Sequence, residues 1–223
     1  MRKKFLSTRF AAGAAAAALL FAGTVPSALA YMTDIADTMD NAFTIALDAT
    51  CELVEKYPPY DNSGANNMVS YEKAVQVINT GFIDEYVRVR LDFTEEAIKN
   101  ITALSWDGTN FYSVDDYKNH LPSGWTYNDS GGYYYYTPIV ESGDWESVKN
   151  TLRYDEASGQ YFYNDNQNLM TSAMITTPLI RYVKTTFPNP QEMRSYGLNA
   201  YSECVPFYFG NDYSSAWSNY LNG

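Results

Sequence analysis

The stretch that decides the fold is Ala74-Val75-Gln76-Val77-Ile78-Asn79-Thr80-Gly81-Phe82-Ile83-Asp84-Glu85-Tyr86-Val87-Arg88-Val89-Arg90-Leu91-Asp92. Its apolar and β-branched residues recur at period two, so it reads as two strands joined through a Gly-containing loop. Successive strand side chains point to opposite faces. Val87, Val89 and Leu91 are therefore expected in a core, with Tyr86, Arg88, Arg90 and Asp92 on the other face.

Outward from this pair the same periodicity continues. Phe43, Ile45 and Leu47 alternate with Thr44 and Ala46, and Leu179-Ile180-Arg181-Tyr182-Val183 is a short strand punctuated by Pro178, Pro188 and Pro190. Two tyrosine-rich hairpins lie between them. Tyr127-Asn128-Asp129-Ser130-Gly131-Gly132 leads into Tyr133-Tyr134-Tyr135-Tyr136, and Tyr154-Asp155-Glu156-Ala157-Ser158-Gly159-Gln160 leads into Tyr161-Phe162-Tyr163. Residues 94–104 are expected to be a helix, with Thr94 as cap, Glu95 and Glu96 at the positive end and an apolar face of Ala97, Ile98, Ile101 and Leu104. A second short helix is expected over residues 214–221. The class is mostly β, a sandwich with one or two short helices.

The N-terminus carries its own signal. Arg2, Lys3 and Lys4 precede an apolar run over residues 10–22 and then Ser27-Ala28-Leu29-Ala30. A basic start, a run shorter than the ~20 residues of a membrane span, and small residues before a cut form a secretory signal peptide. Gly23 and Pro26 interrupt the run where a retained anchor would have to continue. Cleavage is expected after Ala30, which leaves residues 31–223 as one domain outside the cell. The leader holds four basic residues and no acidic ones, so the remaining 193 residues have 11 basic against 26 acidic side chains, a net charge of −15. Such a surface repels nucleic acid and anionic membranes, and no membrane attachment is expected after cleavage.

Cys51 and Cys204 are the only cysteines. In an oxidising compartment an even pair reads as a disulfide. It would close 152 intervening residues, a loop worth ~4–5 kcal/mol in the chain-entropy model. Two unpaired buried thiols are the alternative.

Several segments, taken in order, resemble the TasA/camelysin family of exported bacterial matrix proteins: Ala30-Tyr31-Met32-Thr33-Asp34 at the cut, Asn41-Ala42-Phe43-Thr44 opening the first strand, and Lys73 through Asn79-Thr80-Gly81 with Asp84-Glu85-Tyr86-Val87-Arg88-Val89-Arg90. Trp125 with the four tyrosines, Thr177-Pro178-Leu179, Tyr201-Ser202-Glu203-Cys204-Val205 and Ala216-Trp217 follow in the family's order. The sequence departs from the pattern at Ala46 and Glu85, where the family usually has Gly and Ala, and residues 144–168 read as an insertion. The resemblance implies a jelly-roll β-sandwich, cut by a dedicated signal peptidase, that assembles into extracellular biofilm fibres. It also implies a surface metalloprotease activity, as described for camelysin.

The side chains give that protease reading little to work with. A catalytic zinc site commonly presents two histidines as H-E-x-x-H. This chain has one histidine, His120, in Lys118-Asn119-His120-Leu121-Pro122. A serine triad would have to use the same residue, and no Gly-x-Ser-x-Gly elbow accompanies it. No catalytic residue and no metal site is nominated. Asp61-Asn62-Ser63-Gly64 and Asp107-Gly108-Thr109-Asn110 offer oxygen ligands for calcium at turn spacing, without a complete binding loop. A sugar-binding module is the alternative function, with Trp106, Trp125, Trp145 and Trp217 as the stacking residues. The expectation is a non-enzymatic secreted matrix protein whose freed segment, starting Tyr31-Met32-Thr33-Asp34-Ile35, donates a strand to a neighbour. Its partners are then copies of itself in a head-to-tail polymer, the signal peptidase during export, and other matrix proteins or polysaccharide.

Overall fold

The computed structural model describes residues 42–43, 49–56, 67–129, 131–145, 149–163 and 172–222, all within the unit Asp40–Gly223. The leader at residues 1–30, the expected donor residues Tyr31, Met32, Thr33, Asp34 and Ile35, the strand positions Ile45 and Leu47, and the turn at residues 61–64 lie outside the described residues.

In chain order the strands are β1 (Ala42–Phe43), β2 (Cys51–Lys56), β3 (Met68–Asn79), β4 (Glu85–Phe93), β5 (Thr102–Ser105), β6 (Tyr112–Ser113), β7 (Trp125–Asn128), β8 (Tyr133–Tyr136), β9 (Leu152–Asp155), β10 (Gln160–Tyr163), β11 (Ile180–Thr186) and β12 (Leu198–Pro206). Among the described residues three short α-helices accompany them: α1 (Glu96–Lys99), α2 (Val114–Tyr117) and α3 (Tyr213–Asn222). One five-stranded sheet runs β1-β12-β4-β8-β7, the other β2-β3-β11-β5-β6, and β9–β10 is a separate hairpin. All pairs are antiparallel except β1 with β12. The chain passes from one sheet to the other between β1 and β2, β3 and β4, β4 and β5, β6 and β7, β8 and β11 by way of the β9–β10 hairpin, and β11 and β12. That winding is the jelly-roll form of a β-sandwich.

The two strands of residues 74–92 thus do not pair with each other. Residues 80–84 carry the chain from one sheet to its mate, which is why both strands are buried along most of their length. Val75 and Val77 of β3 meet Val87 and Val89 of β4, Leu104, Ile180 and Val183 in the core between the sheets. The outer face of β4 is covered too: α3 lays Ala216 and Trp217 over Tyr86, Tyr135 and Val205. On the other sheet Ile78, Met174 and Ile175 pack with Leu152, Tyr161 and Trp145 from the inserted region. Buried Gln76 joins that region to β3, donating from Nε2 to Thr176 O (2.7 Å) and accepting from Tyr161 N (2.6 Å). The β9–β10 turn requires Gly159, whose φ is +68° and whose missing Cβ would fall 1.6 Å from the Arg181 side chain. Arg181 in turn donates to the carbonyls of Glu156 and Ser158.

The helix expected over residues 94–104 is shorter than its pattern. Only Glu96–Lys99 is helical, with Glu95 rather than Thr94 at the N-cap, and Thr102–Ser105 is a strand. Thr94 is committed elsewhere, since its Oγ1 accepts from Gly197 N at 2.9 Å. Leu104 satisfies either periodicity, and pairing with β11 decides for the sheet. The expected helix over residues 214–221 is present as α3, and both tyrosine-rich hairpins form.

Candidate functional site

The crossing loop is held by Asn79, which is fully buried. Its Nδ2 donates to Ile83 O (2.8 Å) and Val140 O (3.0 Å), and its Oδ1 accepts from Gly81 N (2.8 Å). A carboxamide is the one side-chain group that offers both donors and an acceptor in a plane. The Asn79 and Gly81 of the family-like motif therefore build the corner from which Glu85 and Tyr86 start β4. Segments from elsewhere gather at this corner. Glu85 and Val140 exchange backbone hydrogen bonds, Asp84 Oδ1 accepts from Ser142 N (2.8 Å), and Phe207 N donates to Asp84 O (3.0 Å).

The corner exposes aromatic side chains. Phe82 is 86 % exposed and Tyr208 61 %, with Phe207 and Ile139 also open to solvent. Beside them lies a groove of about 510 Å³ whose wall includes Tyr86, Ile139, Phe207, Tyr208, Asn211 and Asn219. The groove combines ring faces with amide groups.

On the outer face of β4, Arg88 is sandwiched between rings. Its guanidinium carbon lies 3.9 Å from the Tyr133 ring centroid and 4.0 Å from that of Trp217. Both Nε (2.8 Å) and one terminal nitrogen bond Glu203 Oε2, while Tyr133 donates its hydroxyl to Glu203 Oε1 (2.7 Å). The charge is thus neutralised and stacked while 7 % exposed, so this motif residue fastens α3 to the sheet. Arg90, one step outward, bonds Asp92.

Cys51 and Cys204 come together from opposite sheets, both buried, with their sulfurs unbonded to each other in this structure. Glu85 joins them. Burial, with Cys204 as the lesser cause, pushes the Glu85 carboxyl up to about 11. The Cys204 thiol is raised well above its ordinary value, first by the hydrogen bond with Cys51 and then by burial.

The four tryptophans do not form a platform. Trp125 is buried and donates its indole N–H to Thr177 O (3.0 Å), Trp217 is buried under α3, and Trp145 packs against the Ile78 cluster. Only Trp106 of the four is well exposed. Large rings in a sandwich of this size go where most apolar area is removed from water. Asp107 is a turn residue, its Oδ1 accepting from Ser105 Oγ, Thr109 N and Asn110 N and its Oδ2 from Asn110 Nδ2. Those donors hold its carboxyl well below the usual range. His120 stacks on Tyr112 at 3.8 Å.

Sequence reasoning missed Glu85, Glu203 and the Phe207–Tyr208 groove. Glu85 shares parity with Val87 and Val89, which was a usable sign that it points inward. Nothing in the local pattern marks Glu203 as the partner of Arg88.

Comparison of the chain with protein-family models, curated proteins and solved structures returns no match. The family resemblance rests on motif order alone. Among the described residues no helix is long and apolar enough to cross a membrane.

Proposed function

We propose that this protein is a secreted structural component of an extracellular matrix that polymerises by strand addition. One observation carries the reading. Strand β12 is paired with β4 along its full length, from Leu198 opposite Phe93 to Pro206 opposite Glu85, and on its other side it takes β1 as a short parallel addition at Ser202 and Glu203. An edge that takes a short parallel strand in this way is also a template for a strand from another chain. The edge strand β2 of the other sheet is guarded differently, by Glu52, Glu55 and Lys56. The export leader and the net charge of −15 after cleavage fit a protein that works outside the cell and repels copies of itself except through a specific edge. Donation from one chain to the next does not close on itself, so it yields filaments.

Electron microscopy of the purified mature protein tests this, with a variant lacking residues 31–40 beside it. The intact chain is expected to form concentration-dependent filaments, and the truncated chain is expected to fold and remain monomeric. Filaments of equal abundance from both would overturn the donor-strand reading.

The groove favours a second reading, an extracellular sugar-binding module. The exposed rings of Phe207 and Tyr208 beside Asn211 and Asn219 offer stacking and hydrogen bonding in one place. Binding of labelled glycans that is lost in Tyr208→Ala would support it, and no binding by the intact protein would end it.

A further inference from the structure

Three side chains from both sheets meet in the interior near the crossing corner. Cys51 opens β2, Glu85 opens β4, and Cys204 lies late in β12. The strand register explains the meeting. Cys204 is opposite Val87, and Glu85 lies two residues before Val87, so Glu85 and Cys204 are diagonal neighbours on the inner face of one sheet. Cys51 arrives from the other sheet, opposite Asn79, the residue from which the crossing loop departs toward Glu85. The cysteines are each 1 % exposed and Glu85 is not exposed at all. The two sulfurs and a carboxylate oxygen lie within 4.8 Å of one another, and the Glu85 carboxyl meets no nitrogen or oxygen partner, only the Cys204 thiol.

A carboxyl buried with only a weak thiol donor beside it is costly, and native interiors keep such groups where something else satisfies them. A Cys51–Cys204 disulfide would account for the sulfurs only, because it removes the two S–H donors nearest the carboxylate. A cation accounts for all three groups. Two sulfurs and one oxygen are a soft donor set, unsuited to calcium or magnesium, which take oxygen ligands. Tetrahedral zinc with bonds of ~2.3 Å to sulfur and ~2.0 Å to oxygen separates its ligand atoms by about 3.5–3.8 Å, inside the spacing found here.

We infer that Cys51, Cys204 and Glu85 form a structural zinc(II) site that ties the two sheets together. Loading displaces three protons, one from each thiol and one from the carboxyl, and leaves two thiolates and a carboxylate around the dication. The three side chains fill three of the four tetrahedral positions and leave the fourth open. Because the site is enclosed by both sheets, the metal enters as they close. Bound zinc also keeps the thiols reduced in an oxidising compartment.

The test is made on mature protein secreted into medium containing zinc. Elemental mass spectrometry gives zinc per chain, and alkylation after unfolding without reductant gives free thiols. About one zinc and two alkylated cysteines per chain are expected. Glu85→Gln and Cys204→Ser are expected to weaken zinc retention at least about tenfold, no less than the loss of an outer-shell partner at known sites. Refolding the unmodified chain with cobalt(II) in place of zinc is expected to give thiolate-to-metal charge-transfer absorption, a readout that does not depend on either variant folding. A zinc-free secreted chain holding an intact Cys51–Cys204 disulfide would overturn the proposal. So would a chain with two free thiols that takes up neither zinc nor cobalt on refolding.

Discussion

Replacing Asn79 by Ala removes the group on which the corner between the sheets depends. The side chain is fully buried and makes three hydrogen bonds of 2.8–3.0 Å, so the substitution strands the Ile83 carbonyl and the Gly81 N–H and removes one of the two donors to the Val140 carbonyl. A buried polar group left unpaired costs about 1–3 kcal/mol. The Glu85 N–H still serves the Val140 carbonyl and softens that loss. The expected total is about 3–5 kcal/mol, a large share of the ~5–15 kcal/mol that holds a domain. In thermal unfolding this is a drop of about 6–20 °C for a chain of this size. Urea unfolding followed by tyrosine and tryptophan fluorescence should show a lower midpoint at unchanged slope. Asn79→Asp is a sharper probe. It keeps the acceptor for Gly81 but turns an anionic oxygen toward two carbonyl oxygens, so it should cost more than Ala at pH 7. Its pKa in the folded state must lie above the unfolded value near ~4. The folded state then binds the extra proton, and the variant's stability should fall as pH rises from about 4 toward that raised pKa. An Asn79→Ala cost below about 1 kcal/mol, with an Asn79→Asp cost that is no larger and independent of pH, would refute the claim that this side chain builds the corner.

Three further outcomes are expected. Arg88→Met and Glu203→Leu should each cost about 3–5 kcal/mol because each leaves a mostly desolvated partner charge unpaired, whereas the two together should recover a substantial part, as a double-mutant cycle in urea will measure. Trp217→Ala should cost about 3–5 kcal/mol and release amide protection in Tyr213–Asn222 first, since it removes both the ring stacked on Arg88 and the edge contact with Tyr135; hydrogen exchange reads this directly. Asp107→Asn should be less stable than the parent above pH ~4 and converge on it as acid protonates Asp107, because a depressed folded pKa gives stability that is present above the unfolded value and lost as pH falls. Melting curves of both proteins between acid and neutral pH check this.

What the sequence determined by itself is local. Period-two alternation with β-branched and aromatic residues made the chain mostly β, the Asn-Asp-Ser-Gly-Gly and Asp-Glu-Ala-Ser-Gly turns set two hairpins, and Val87 and Val89 declared their inward face, because each of these signals is written within a few residues. The 3.6-residue pattern of residues 94–104 misled for the complementary reason: α1 stops at Lys99 because β11 offers Thr102–Ser105 a ladder that the sequence does not reveal. Tertiary structure alone decided that β3 and β4 belong to different sheets, and that Arg88 is stacked under α3 and paired with Glu203. It alone placed Glu85 between two cysteines 153 positions apart. Side-chain direction is a property of neighbouring residues, whereas juxtaposition across a sandwich depends on sheet order and register, which are fixed only when the whole core closes.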